Sequence, residues 1–218
     1  ETRDYFKNVR ADIQRLAIKA KREGRTFEII GHSWGGAVGY LALRDLEMKG
    51  EIQPGDVDLL VTMGTPIGKE AEILKLLKLV EPQLGLEGKS IEKLQNPERL
   101  KSVKSWSNYW SRTDGLVSSQ NPMAKNKELP GVGENDHNSY FEYPEFLEMI
   151  GGEVAVAVIK HDREIIGTTS AALATKKETK NAELPREAGY SEPNNLSSTG
   201  RPKVIDTTTN YFAVATVF

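Results

Sequence analysis

The sequence contains no cysteine and has little else that would indicate a metal centre. With no cysteine among 218 residues, disulfides, thiolate nucleophiles and cysteine-ligated metals are excluded. Only three histidines are present, far apart in the chain, and neither a His-Glu-x-x-His motif nor an aspartate-rich calcium loop occurs. We therefore expect no metal and no cofactor. The absence of cysteine leaves the cellular compartment open.

The chain also lacks an excess of charge of one sign and a long apolar run. The formal net charge is −2, which favours neither nucleic acid nor an anionic membrane as a partner. No apolar run approaches the roughly 18 residues that indicate a transmembrane helix. No signal peptide is visible, and because the chain begins with Glu1 rather than Met, we expect the natural N-terminus to lie upstream. Oligomeric state and localisation are not indicated.

Apolar patterning predicts alternating helices and strands over the first 160 residues. Three- and four-residue spacing predicts an amphipathic helix over 4–22. Further along the chain the pattern predicts strands at 26–30, 57–63, 103–109 and 126–129, and helices at 37–48 and 144–160, the last interrupted at 151–152. Helices that alternate with short apolar strands predict an α/β fold with three layers, α/β/α, around a mostly parallel sheet.

The composition changes after about Gly167. Thr, Ser, Lys, Glu, Asn and Pro dominate as far as Lys203, and such a stretch buries too little apolar surface to offset its ordering entropy. We predict one domain over 1–160 and a linker or disordered tail over 161–218. The end of that tail, 204–218, is β-like again in composition.

The pentapeptide Gly31-His32-Ser33-Trp34-Gly35 stands between a predicted strand and a predicted helix. A Gly-x-Ser-x-Gly turn presents its serine on a strained backbone, and glycines at the flanking positions avoid collisions. The helix that follows points its N-terminus at the oxyanion formed during attack. A chance match in this length is expected about 0.07 times. The turn predicts Ser33 as a nucleophile; the alternative is a glycine-rich turn with an idle serine.

The segment 28–36 resembles the nucleophile elbow of lipases and esterases of the α/β-hydrolase family, and the resemblance extends over about residues 4–160. It implies the C-terminal part of an α/β-hydrolase fold, truncated at its N-terminus. It also implies an oxyanion hole in which the backbone N–H of Trp34 is one donor. The second donor comes from an earlier loop that no residue of this chain matches. His32 is then interpreted as packing around the elbow rather than as the base.

Two histidines follow Ser33, and the family order of nucleophile, acid and histidine makes each a candidate base. His137 lies in a polar segment between a predicted strand and the final helix, where loops at strand ends deliver functional groups. His161 lies beyond the predicted final helix and is not favoured. We predict His137 as the base; the alternative is an ordinary exposed loop histidine.

The acid must hold the imidazole in the right tautomer and stabilise its charged form. Asp114 follows a predicted strand in a segment similar to the family's Asp-Gly-Val/Ile loop, and we predict it as the acid. Asp136 is a rival, but a residue next to the histidine in sequence rarely reaches back to its ring. Asp56 and Asp58 flank the second predicted strand and are less favoured.

Together these residues predict a serine hydrolase, lipase- or esterase-like, that cleaves carboxylic esters through Ser33, Asp114 and His137. Thioesterases and acyltransferases use the same triad and stay open as alternatives, as does a non-catalytic binding module. The predicted partner is a small-molecule or lipid ester substrate, and we expect no nucleic-acid partner. Residues 67–103 are a candidate cap or lid, whose leucine-rich stripe at 73–80 would line an acyl pocket or touch a membrane surface. The alternative is a helix packed on the sheet.

Overall fold

The structure, a computed structural model, describes residues 5–68, 71–86, 89–130, 136–142 and 144–182, with the backbone alone at 136 and 173–182. Contacts divide the chain into two units, of which the first extends to Asp162 and the second begins at Arg163. The predicted β-like segment 204–218 and residues 133–135 of the polar segment around His137 lie outside the described residues. The division at 160 stays a prediction.

Four strands form one sheet in the first unit. They run in the order β1 (Glu28–His32), β2 (Val57–Met63), β3 (Val103–Trp110) and β4 (Lys125–Glu128), and every neighbouring pair is parallel. Since all strands point the same way, their carboxyl ends lie along one edge of the sheet. The predicted α/β fold with a mostly parallel sheet is confirmed, and each predicted strand is present within two residues of its predicted start.

Six α-helices accompany the sheet in the described residues: α1 (Tyr5–Glu23), α2 (Ser33–Met48), α3 (Ala71–Val80), α4 (Ser90–Gln95), α5 (Asp136–Ser139) and α6 (Pro144–Ala182). Apolar side chains of α1 to α4 form one core cluster on one face of the sheet. Phe146, Ile150 and Val154 of α6 form a second cluster on the opposite face. The first unit therefore has the predicted three layers.

The buried strands explain why both clusters are continuous. Every residue of β2 is buried, as expected for a strand covered on both faces. Its side chains alternate, so that Leu60 joins the cluster of α1 to α4, whereas Leu59 and Val61 join the cluster of α6. Burial of each such side chain contributes about 1.5–3 kcal/mol.

The helix after the elbow begins earlier than predicted. The pattern indicated a start at Ala37, but α2 begins at Ser33 itself. Its first turn contains Gly35 and Gly36, and each glycine costs about 1 kcal/mol in a helix relative to alanine. The low helix propensity of this turn concealed it in the sequence.

The last helix was also predicted wrongly at its middle and its end. It was expected to break at Gly151-Gly152 and to stop near Lys160, but α6 is continuous from Pro144 to Ala182. A glycine weakens a helix without preventing its hydrogen bonds. The stretch from Gly167 to Ala182 is therefore helical, and the linker or tail over 161–218 stays a prediction. In the part of the chain that the structure describes, no helix is both long and apolar enough to cross a bilayer.

The segment predicted as a cap or lid is helical, as its apolar stripe indicated. It contains α3, a 3-10 turn at Glu81–Leu84, and α4. Leu74 and Leu77 of α3 are buried in the cluster with α1 and α2, whereas Leu76 and Leu79 are exposed. The helix is thus packed on one face, and its role as a lid stays a prediction.

Candidate active site

The elbow has a strained backbone at Ser33, and two nearby glycines leave room for it. Ser33 has a φ of 52°, and it is the one residue other than glycine with a positive φ in the described part of the chain. This conformation costs about 1–3 kcal/mol. A Cβ on Gly31 would lie 2.5 Å from the Cα of Gly36, and a Cβ on Gly36 would lie 2.3 Å from the Oγ1 of Thr65. The sharp turn between β1 and α2 therefore requires glycine at both positions.

The Ser33 hydroxyl lies against the predicted base. Its Oγ is 2.6 Å from Nε2 of His137, although 104 positions separate the two residues. His137 lies in α5, the short helix after β4, and is buried rather than an exposed loop histidine. The parallel sheet causes this approach, because the segments that follow β1 and β4 both start at its carboxyl edge.

The other imidazole nitrogen faces the predicted acid. Nδ1 of His137 lies 3.1 Å and 3.0 Å from the two carboxylate oxygens of Asp114, which follows β3. A carboxylate only accepts hydrogen bonds, so Nδ1 carries the proton and donates it. The lone pair of Nε2 then faces the Ser33 hydroxyl, which donates to it. This tautomer is the one that a general base requires.

Asp114 is buried and kept ionised by its hydrogen bonds. The backbone amides of Leu116 and Val117 donate to Oδ1 at 2.9 Å and 2.8 Å, and the hydroxyl of Tyr140 donates to Oδ2 at 3.0 Å. Burial by itself raises the pKa of Asp114, but the bonds from His137 and the two amides outweigh burial and lower that pKa. A fixed negative charge is therefore available to stabilise an imidazolium on His137.

Gly64, just after β2, makes room for this arrangement. Its φ is 50°, and a Cβ there would lie 2.8 Å from Cε2 of Tyr140 and 3.0 Å from Oδ2 of Asp114. Glycine thus allows the end of β2 to approach the acid and its tyrosine. Sequence reasoning missed Gly64 and Tyr140. The signals were a glycine at the carboxyl end of a buried strand and a tyrosine three positions after His137.

The predicted oxyanion donor lies at the start of the helix. Trp34 is the second residue of α2, so its N–H is among the first four amides of the helix, which have no partner within the helix. The partial positive charge of a helix N-terminus favours an anion at this place. An oxyanion formed next to Ser33 would therefore meet an available N–H.

The remaining candidates do not join this group. Nδ1 of His161 lies 3.2 Å from Oδ1 of Asp58, near the amino end of β2 and so at the opposite end of the sheet from Ser33. His161 lies within α6, not beyond the final helix. Asp56 binds Lys21 and the amide of Gln53. The side chain of Asp136 is outside the described residues.

The described residues contain no group of three or more His, Asp or Glu side chains that could hold a metal ion. The site consists instead of a hydroxyl, an imidazole and a carboxylate joined by hydrogen bonds in that order. Such a group can accept a proton from Ser33, store it on His137 and return it to a leaving group. Chemically, this arrangement can support nucleophilic catalysis.

Several solved structures are similar to this chain, among them the following three. The thioesterase RedJ from the prodiginine biosynthetic pathway of Streptomyces coelicolor is 12% identical, with a TM-score of 0.40 over 69% of this chain and 72% of the other. Human thioesterase 2 is 17% identical, with a TM-score of 0.40 over 68% of this chain and 81% of the other. An α/β hydrolase from the metagenome of lagoon sediments at Mar Chica, Morocco, is 20% identical, with a TM-score of 0.39 over 66% of this chain and 68% of the other.

No family model and no curated protein matches the sequence. The chain has an α/β fold, and the solved structures that it resembles include two thioesterases and an α/β hydrolase.

Proposed function

We propose that this protein is a serine hydrolase that cleaves carboxylic esters, with Ser33 as nucleophile, His137 as general base and acid, and Asp114 as the acid that orients the imidazole. One observation carries the proposal: the Ser33 hydroxyl is 2.6 Å from Nε2 of His137, whose Nδ1 is 3.0 Å from the carboxylate of Asp114. Hydrogen-bonded contact between nucleophile, base and orienting group is the signature of an activated serine.

The reaction follows from this geometry in two halves. Oγ of Ser33 attacks the acyl carbon while Nε2 of His137 takes the hydroxyl proton, and the carbonyl oxygen becomes an oxyanion near the N–H of Trp34. The C–O bond to the alcohol then breaks, and His137 gives its proton to the departing alcohol. Water repeats the sequence on the acyl-enzyme, which releases the carboxylic acid and the free Ser33.

A fluorophosphonate probe tests the nucleophile independently of the substrate. We expect covalent labelling of the purified protein and hydrolysis of p-nitrophenyl esters, both lost in Ser33→Ala. Ser118→Ala, an exposed serine outside the site, is the matched control and keeps both activities. Labelling of Ser33→Ala at the rate of the unaltered protein would refute the assignment. An unaltered protein that binds esters without turnover or labelling would instead be a binding module.

The leaving group is tested by two substrates with one acyl chain. Phenyl butyrate and S-phenyl thiobutyrate differ by the single atom that leaves, and the proposed steps accept either. We expect a larger kcat/KM for the oxygen ester. A kcat/KM that is larger for the thioester by more than the ratio of the uncatalysed rates would reassign the protein as a thioesterase.

The acyl side of the proposal includes contact with a lipid surface through α3. Leu76 and Leu79 are exposed on one side of this helix, with Lys75 and Lys78 beside them in sequence. We expect activity on a long-chain ester to rise when the ester forms micelles, and Leu79→Ser to lose that rise but keep activity on a soluble ester. Ile18→Ser, an exposed residue of α1, is the control; equal behaviour of the two variants would contradict the role of α3.

A further inference from the structure

His32 precedes the nucleophile and makes a hydrogen bond that packing alone does not require. Its ring Nε2 lies 2.6 Å from the backbone carbonyl oxygen of His137. A carbonyl oxygen only accepts, so Nε2 of His32 carries the proton and donates. Burial, the largest cause, lowers the pKa of His32, which favours a neutral ring with one proton at neutral pH.

The ring of His32 is also enclosed by the segment that contains the base. Ring centroids lie 5.1 Å away at His137, 5.6 Å at Tyr140 and 5.7 Å at Phe141. These contacts limit the ring to a narrow range of orientations. The hydrogen bond to the carbonyl of His137 therefore has a fixed direction.

The base itself lies on an element that cannot hold its own position. The helix α5, Asp136–Ser139, has four residues, about one turn, and a single turn is not stable by itself in water. Its backbone must be held from outside. Catalytic groups need placement within about 0.5 Å of the productive geometry.

We infer that His32 is a positioning residue that fixes the backbone of His137 relative to Ser33. His32 and Ser33 are consecutive, so the hydrogen bond ties the main chain of the base to the residue next to the nucleophile. The Oγ–Nε2 contact is then part of a closed ring of bonds that runs through β1 and α5. The expected effect on catalysis rests on the proposed function, whereas the hydrogen bond from His32 to the carbonyl of His137 does not.

Two substitutions separate the donor from the ring. His32→Phe keeps an aromatic ring and removes the donor, and His32→Gln keeps an N–H near the position of Nε2 and removes the ring. The readouts are the rate of labelling by a fluorophosphonate, kcat and KM on a soluble ester, the unfolding midpoint, and the downfield proton resonance of His137 Nδ1–H. His32→Leu replaces the phenylalanine variant if the latter does not fold.

We expect His32→Phe to lower the labelling rate and kcat by about 10- to 100-fold with KM little changed, because displacement of a catalytic group by 1 Å has an effect of this size. The downfield resonance should broaden or disappear. His32→Gln should recover the labelling rate to within about fivefold of the unaltered protein and restore the resonance. Unfolding midpoints of the two variants should be similar.

Two results would overturn the inference: a phenylalanine variant as fast as the unaltered protein, or a glutamine variant as slow as the phenylalanine one. Failure of the proposed function looks different, because the unaltered protein would then be unlabelled. In that case the Nδ1–H resonance of His137 would still report on the hydrogen bond from His32. Loss of the resonance in His32→Phe alone supports the inference, whereas a resonance that persists in both variants contradicts it.

Discussion

The sheet has a carboxylate–imidazole pair at each end, and the two pairs differ in what surrounds them. At the carboxyl end, Asp114 faces His137, and the free nitrogen of that ring reaches a serine at 2.6 Å. At the amino end, Asp58 faces His161 at 3.2 Å, and Nε2 of His161 is buried without a hydrogen-bond partner in the described residues. The first pair can pass a proton to or from a serine, whereas in the described residues Nε2 of His161 has no hydrogen-bonded group with which to exchange one.

The environments of the two aspartates differ as well. Asp114 accepts bonds from two amides, a tyrosine and its histidine. Asp58 forms an ion pair with Lys104 at 3.0 Å and accepts the amide of Phe27 at 2.9 Å. Lys104 already balances the charge of the Asp58 carboxylate, and the contact of Asp58 with His161 joins β2 to α6. An aspartate–histidine contact is therefore not evidence of a site unless a nucleophile completes it.

The largest expected effect compares the two histidines. His137→Ala should lower kcat on a soluble ester by about 10⁵-fold, because it removes the proton acceptor of Ser33. His161→Ala should leave kcat within about twofold and lower only the free energy of unfolding. Steady-state kinetics and urea unfolding of both variants provide the measurement. Equal losses of kcat would mean that the pair at the amino end takes part in turnover.

The two aspartates should differ in the same direction by a smaller factor. Asp114→Asn should lower kcat by about 10³- to 10⁴-fold, because an amide no longer fixes the tautomer or stabilises the imidazolium. Asp58→Asn should change stability alone. The pH dependence of stability tests Asp114 further. The pKa of Asp114 is lowered in the folded protein, so its contribution to stability is full above the unfolded-state pKa of about 4 and is lost at lower pH.

Asp114→Asn should therefore remove that acid-dependent part of the unfolding free energy. Urea unfolding at several values between pH 3 and pH 7 measures it. A slope below pH 4 that is the same in Asp114→Asn and in the unaltered protein would contradict the hydrogen-bonded, ionised carboxylate.

A third comparison uses two glycines with similar positive φ angles and different surroundings. Gly64 has a φ of 50° and is in close contact with Tyr140 and Asp114, whereas Gly50 has a φ of 69° and open space around it. Gly50→Ala should cost about 1–2 kcal/mol of stability through the backbone alone and leave kcat unchanged. Gly64→Ala should cost about 1–3 kcal/mol more through overpacking, and should also lower kcat. Thermal unfolding and ester hydrolysis distinguish the two.

The smallest expected effect concerns Glu28, at the amino end of the sheet. Glu28 is buried near Asp58, its Oε1 has no partner in the described residues, and burial above all raises its pKa. A raised pKa means that the folded protein loses stability as pH rises from the unfolded-state pKa, about 4.3, through the folded value. Glu28→Gln should therefore be more stable than the unaltered protein by on the order of 1 kcal/mol at pH 7. Urea unfolding should show the difference vanish near pH 4; a less stable variant at pH 7 would contradict it.

Much of the fold was predictable because its signals are local. The run from Val57 to Met63 is mostly apolar and rich in β-branched residues, and it predicted β2 with its bounds unchanged. The end of α6 was not predictable in this way. Gly151, Gly152 and the polar residues after Gly167 weaken helix propensity locally, but a helix that is already formed adds a hydrogen bond with each further residue.

The candidate site divides along the same line. The elbow was recognisable because Gly31, Ser33 and Gly35 lie within five consecutive residues and form the Gly-x-Ser-x-Gly pattern. The acid was chosen among rivals by its likeness to a loop and not by any distance. Tyr140 and Gly64 were missed, because their importance depends on which strand ends meet.

The sequence by itself determined that a serine would stand on a strained turn between a strand and a helix, since this depends on a few consecutive backbone angles. It also determined the parallel α/β pattern. The tertiary structure alone decided which histidine and which aspartate lie with Ser33, and that His32 binds the backbone of His137. The physical reason is that a parallel sheet collects the segments after its strands at one edge, and the partners across that edge are up to 105 positions apart.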